Sequence, residues 1–132
     1  MSLRSINTTG RGEPAIRTVA MPADANANGD IFGGWVLSQM DIAGGVVASR
    51  RCSGRSATVA IEAMNFYKPI FIGDLVSFYA SVVRIGKSSM TVKIDAIAVR
   101  RMSGEEVRVT EGTFVYVAID DSGRPRPVNL MD

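Results

Sequence analysis

Gly34, Ser38, Asp41 and Gly45 recur at steps of four, three and four, a spacing that lines them along one face of a helix. That face is small and polar and carries a single carboxylate. Two readings fit it. The glycines can let a neighbouring helix or strand approach closely while Asp41 reaches solvent or an arginine. Alternatively, the small side chains can leave room for a substrate channel in which a partly desolvated Asp41 acts on a bound ester. Gly33 and Gly34, at the other end of the same segment, would offer backbone N–H groups at a helix start, where donors lack intrahelical partners and the dipole is positive. Such donors suit an oxyanion, although paired glycines serve equally to bring a helix start close to a sheet. Eight residues separate Gly33 from Asp41, about 12 Å along a helix, so one helix cannot place both on one carbonyl carbon. If both act on the same carbon, the carboxylate of one copy must meet the helix start of another, and catalysis requires a dimer.

The 132 residues include no histidine and one cysteine, Cys52. Triads that depend on an imidazole are therefore excluded, and a zinc site is disfavoured. Chemistry must rest on carboxylates and backbone groups, with no metal or other cofactor expected. Cys52, beside Arg50 and Arg51, reads as a structural thiol rather than a nucleophile. A net charge of +2 with dispersed arginines does not call for nucleic acid, though local basic groups could hold a phosphorylated small molecule. The most apolar stretch, Ile31 to Ala48, is interrupted by Ser38, Gln39 and Asp41 and carries four glycines, so no membrane insertion is expected. With no amino-terminal run of secretory type, the expected location is cytoplasmic.

These groups need elements to hold them. The length suits one domain, 1–132. Ala15 to Met21 suits a short strand that Pro22 ends. The segment Asp24-Ala25-Asn26-Ala27-Asn28-Gly29-Asp30 is dense in turn and cap formers. A helix should then begin near Ile31 to Gly34 and run to about Ser49, with Arg50, Arg51 and then Gly54 at its end. Having almost no polar face, it is expected to be buried along most of its length. Beyond Gly54 the period becomes two: Val59, Ile61 and Ala63 alternate with Thr58, Ala60 and Glu62 until Pro69. Leu75 to Ile85 is a second such strand. Met90 to Ala98 follows the turn Ile85-Gly86-Lys87-Ser88, and Val107 to Ile119 follows the turn around Ser103-Gly104-Glu105. Arg124 to Asp132 reads as irregular. A strand, a long helix and four strands joined mostly by hairpins give an α+β fold, in which an antiparallel sheet curves around a buried helix.

Several of these segments share a pattern: Met21-Pro22-Ala23-Asp24-Ala25-Asn26-Ala27-Asn28-Gly29-Asp30-Ile31-Phe32-Gly33-Gly34-Trp35, then Ser38-Gln39-Met40-Asp41, Met64-Asn65-Phe66, Lys68-Pro69, Gly73-Asp74, Gly86-Lys87-Ser88-Ser89 and Phe114-Val115-Tyr116-Val117-Ala118. Covering roughly Thr18 to Arg126, this pattern resembles the YciA-type acyl-CoA thioesterases of the hotdog superfamily. The resemblance implies a hotdog fold, a curved antiparallel β-sheet wrapped around one long central α-helix. It implies hydrolysis of acyl-CoA to free CoA and a carboxylic acid, with a broad acyl-chain range and a place in lipid metabolism. Asp41 would be the catalytic carboxylate. Asn26, from the partner subunit's loop, would bind or orient substrate or water. Asp30 is the rival for either role, unless it merely caps the helix. Asp41 could act as a general base on water or attack the carbonyl to form a mixed anhydride, and both paths remain open. Either develops negative charge on the thioester oxygen, toward which Gly33 or Gly34 could donate. The Gly86-Lys87-Ser88-Ser89 turn offers donors and a cation to CoA phosphates, or else is a plain hairpin turn with a solvated lysine. Lys68, Arg124 and Arg126 could add charge. Assembly would go beyond the dimer, to a tetramer or a hexamer built as a trimer of dimers. Hotdog dehydratases pair a catalytic histidine with an acid, and this chain has none. A non-catalytic acyl-CoA or CoA-binding module is the alternative from another class.

Overall fold

After Gly54 the β-branched and aromatic residues, spaced by two, do form long strands. The computed structural model describes residues 12–128. Along the chain run β1 (Ile16–Val19), a 3-10 turn at Pro22–Asp24, α1 (Gly33–Arg51), β2 (Ser56–Phe66), β3 (Leu75–Ile85), β4 (Ser89–Val99) and β5 (Glu106–Ala118). The strands form one antiparallel sheet in the order β1-β3-β4-β5-β2. Hairpins join β3 to β4 and β4 to β5, as expected. The β2–β3 connection is different: β2 pairs with β5 at the far edge, with two strands between it and β3. Pro69, lacking an N–H, sits in the segment after β2 where a tight hairpin would have to close. Register shifts in β2, β3 and β5 bend the sheet, and α1 lies across its inner face against β2, β3, β4 and β5.

The core is formed where Val36, Met40, Ala43 and Ala48 of α1 meet Val76, Phe78, Met90, Val92, Ile94, Phe114 and Tyr116. Contrary to the sequence expectation, α1 is not buried along most of its length. Only Val36, Met40, Ala43, Gly44 and Ala48 are buried, and Ile42 is 52% exposed. A sheet covers one side of a helix, and on the opposite side of α1 the small-residue stripe and Ile42 have no cover in a single chain. An uncovered surface is also presented by β2, an edge strand that among the described residues pairs with β5 alone. Its Val59, Ile61 and Phe66 are 58%, 46% and 58% exposed, a surface that soluble proteins do not ordinarily leave open.

One glycine of α1 fixes how closely helix and sheet approach. A Cβ on Gly44 would lie 2.2 Å from the Tyr116 hydroxyl and 2.8 Å from its ring carbons. A Cβ on Gly45, on the small-residue stripe, would make only an ordinary 3.8 Å contact with the same ring. Gly44→Ala should therefore cost about 1–3 kcal/mol as overpacking, read as a lower urea midpoint; an unchanged midpoint would show that the ring yields freely. The chain after β5, expected to be irregular, is docked as far as residue 128. Ile119 bridges Pro125, Arg126 donates to the Cys52 carbonyl at 2.8 Å, and Val128 is buried. The remaining tail lies outside the described residues.

Candidate active site

The turn formers between β1 and α1 organise themselves around Asn26. Its Oδ1 accepts from the Asn28 and Asp30 amides at 2.9 and 3.2 Å, and its own N–H donates to the Asp30 carbonyl at 2.6 Å. Gly29 closes the loop at φ +86°, a left-handed conformation that glycine adopts freely. Oδ1 is thereby committed to the loop, and the side-chain N–H₂ has no acceptor among the described residues. Asn28 is exposed and does not line the adjoining cleft, whereas Asn26 does.

Asp30 does not cap α1. The cap position is Phe32, and no side chain bonds there. Asp30 instead forms a backbone bridge to Phe71, while the Ile31 N–H donates to the Ile70 carbonyl at 3.0 Å. The amides of Gly33 and Gly34 have no acceptor among the described residues. A Cβ at either position would meet nothing within 4 Å. Close packing of helix on sheet therefore does not account for these glycines. The structure gathers Asn26, Asp30, Gly33 and Lys68 around one cleft of about 390 Å³, walled by Phe66 and Thr110 among others.

Asp41 is elsewhere. It sits at the middle of α1 next to the start of β2, where Thr58 Oγ1 donates to its Oδ1 at 2.6 Å. Tyr116 Oη donates to the Asp41 carbonyl at 2.8 Å and lies 3.2 Å from the same Oδ1. Tyr116 is buried and stacks at 6.4 Å on Phe114. Burial first, and then the neighbouring carboxylate, push its phenol well above the ordinary tyrosine range, so it remains a donor at any pH the protein meets. Both hydroxyls converge on Oδ1. Among the described residues Oδ2 receives no hydrogen bond, which leaves one oxygen held and the other available.

The Gly86-Lys87-Ser88-Ser89 turn joins β3 to β4 beside the end of β5, at the end of the sheet that carries Thr58 and Tyr116, whereas the Lys68 amide donates to the Val109 carbonyl toward the start of β5. Its Ser88 carbonyl accepts from Ala118 at 2.8 Å, its Lys87 carbonyl from Val128 at 2.9 Å, and Gly86 donates to Ser89 at 2.9 Å. Lys87 is exposed. One chain thus holds two half-constellations: Asp41, Thr58, Tyr116 and the 86–89 turn at one end, and Asn26, Asp30, Gly33 and Lys68 at the other. Thr58 and Tyr116 carried no signal for a role in the sequence, because they reach Asp41 across 17 and 75 residues. No group of three or more His, Cys, Asp or Glu among the described residues could hold a metal ion. No helix there is long and apolar enough to cross a membrane.

The pattern of the thioesterase superfamily matches residues 28–105. The acyl-CoA thioester hydrolase YciA of Salmonella typhimurium is 44% identical over 130 residues, covering 96% of this chain and 97% of that protein. A hexameric broad-specificity acyl-coenzyme A thioesterase, solved as an aspartate-to-alanine mutant, superposes with a TM-score of 0.88 at 44% identity, covering 92% of this chain and 89% of the other. A hexameric hotdog fold thioesterase of Campylobacter jejuni does so with 0.87 at 37% identity, covering 91% and 92%. A single helix against a five-stranded antiparallel sheet, matched over this length and at this identity, makes the chain a member of the thioesterase superfamily and, within it, of the YciA-type acyl-CoA thioester hydrolases with the hotdog fold.

Proposed function

We propose that this protein hydrolyses acyl-CoA thioesters to free CoA and a carboxylic acid at a site assembled from two copies of the chain. The observation that carries this reading is the separation of the half-constellations together with the open, apolar edge of β2 between them. Antiparallel pairing of β2 with its counterpart about a two-fold axis near Ile61 would set the Thr58 end of one strand against the Phe66 end of the other. The Asp41 of one copy would then face the cleft of its partner. The pairing would also cover the exposed Val59, Ile61 and Ile42.

In that arrangement the oxyanion of the tetrahedral intermediate forms at the Gly33 and Gly34 amides. Asp41 Oδ2 either takes a proton from the attacking water or itself attacks the carbonyl to give a mixed anhydride that water then opens. Thr58 and Tyr116 hold Oδ1 so that the other oxygen points one way. The Asn26 side-chain N–H₂ orients the water or the thioester carbonyl, and Asp30 remains the rival carboxylate. CoA departs as a thiolate, which needs no strong acid and so no histidine. Lys68 from the cleft copy and the Gly86-Lys87-Ser88-Ser89 turn from the other would meet the CoA phosphates. The hexameric assembly of the solved relatives supports a trimer of dimers over a tetramer.

Thiol release from acyl-CoAs of increasing chain length tests the reading directly. Turnover over a range of chain lengths is expected. Absence of turnover with CoA still bound would favour a binding module instead. Thr58→Val, which removes one donor to the carboxylate and keeps the shape, should lower kcat by about tenfold; an unaltered kcat would remove Thr58 from the machinery.

A further inference from the structure

Pro69 and Ile70, which line the cleft, begin a turn that runs to Asp74 and contains no regular structure apart from the bridge at Phe71. Ile70 anchors its start in the core at 3% exposure, whereas Phe71 and Ile72 are each 43% exposed. Beyond Ile70, polar contacts hold it. The Asp74 carboxylate is 2% exposed, and its Oδ2 accepts from the Phe71 amide at 2.8 Å and from Arg100 Nη1 at 2.5 Å. The same Arg100 nitrogen donates to the Pro69 carbonyl at 3.0 Å, and the guanidinium lies 4.5 Å over the Phe71 ring. One arginine thus fixes the turn at Pro69, at the Phe71 ring and, through Asp74, at the Phe71 amide. A planar, always-charged fork can serve acceptors and stack at once, which an ammonium cannot.

The turn in turn holds the start of α1. Ile70 accepts from the Ile31 amide at 3.0 Å and Phe71 bridges Asp30, two residues and three residues before Gly33. We propose that Arg100 and Asp74, neither of which lines the cleft, are positioning residues for the oxyanion end of the site, acting through Pro69–Phe71 and Asp30–Ile31 on the Gly33 and Gly34 amides. The proposal rests on the thioesterase reading. Donors to a developing oxyanion are effective only when held to a fraction of an ångström. Loosening them weakens the transition state more than the ground state, so kcat falls while KM moves little.

The test uses steady-state kinetics and amide hydrogen exchange of the full oligomer for Arg100→Met, Arg100→Lys and Asp74→Asn. Val92→Ala, in the core away from this cluster, serves as a comparator of reduced stability. Arg100→Met should lower kcat by roughly tenfold or more with KM within about threefold, and should speed exchange at residues 30–34 as well as 69–74. Arg100→Lys should recover part of kcat. Val92→Ala should retain its kcat below its melting temperature. Should Arg100→Met fail to fold, the same split between kcat and KM and the same pattern of exchange are read from Arg100→Lys and Asp74→Asn. If the native protein turns over and the variants keep its kcat, or lose activity only as Val92→Ala does, or leave exchange at 30–34 unchanged, the positioning role is overturned. If the native protein hydrolyses no acyl-CoA, the thioesterase reading itself fails and takes this role with it.

Discussion

Asp41→Asn should reduce acyl-CoA hydrolysis by about 10³-fold while leaving the fold and the oligomer intact. The amide keeps the size of the carboxylate and an oxygen that can still accept from Thr58 and Tyr116, the two hydroxyls that meet Oδ1. It loses the charge, and with it both possible roles, as base toward water and as nucleophile toward the carbonyl. A melting temperature within about 5 °C of the native value, equivalent to roughly 1 kcal/mol, would separate lost chemistry from lost structure. Asp30→Asn is the matched control. The contacts of Asp30 are backbone ones, to Asn26 and Phe71, so this variant should stay within about threefold of native, a loss no larger than one modest hydrogen bond. The reverse pattern, with Asp30→Asn inactive and Asp41→Asn active, would transfer the catalytic role to the loop.

Two inactive variants should restore each other. Asn26→Asp keeps the oxygen that accepts from Asn28 and Asp30, removes the free N–H₂ and should lower kcat by about 10²-fold, as for other lost positioning donors. Co-expression with Asp41→Asn, followed by isolation of the mixed oligomer, should raise activity to about a quarter of native. Half of randomly paired dimers are mixed, and each of these carries one intact site and one doubly altered site. A site contained in one chain would give no recovery at all, because every site would then bear one lesion. The experiment therefore reads the two-copy architecture without a structure of the complex.

Much of the fold was legible because secondary structure follows local periodicity. The β3 strand runs from Leu75 to Ile85, as its residue pattern predicts, and α1 begins at Gly33 within the expected window and ends two residues beyond it. The neighbour of β2 was not legible. Hairpin logic pairs strands adjacent in the chain, whereas β2 joins β5 across some fifty residues, an outcome of closing the sheet around the helix. The glycines divide in the same way. Helical spacing puts Gly45 and not Gly44 on the small-residue stripe, but only the tertiary structure shows that a Cβ on Gly44 would collide with the Tyr116 hydroxyl while one on Gly45 would merely touch its ring. Asn26 was recognised as a candidate, but not that its Oδ1 is consumed by its own loop.

Two facts needed no tertiary structure. A chain without histidine must use a carboxylate or backbone groups for acyl transfer, since no other base of suitable pKa is present. The eight-residue step from Gly33 to Asp41 lies on one helix whose rise is set by its own hydrogen bonds, about 1.5 Å per residue, so their separation is fixed however the rest folds. Tertiary structure alone decided which Asp41 oxygen is held, which residues share the cleft with Gly33, and that Arg100 braces the turn beginning at Pro69. Each of those depends on side chains brought together across the sheet and its loops, where strand register and close packing, rather than local sequence, determine what touches what.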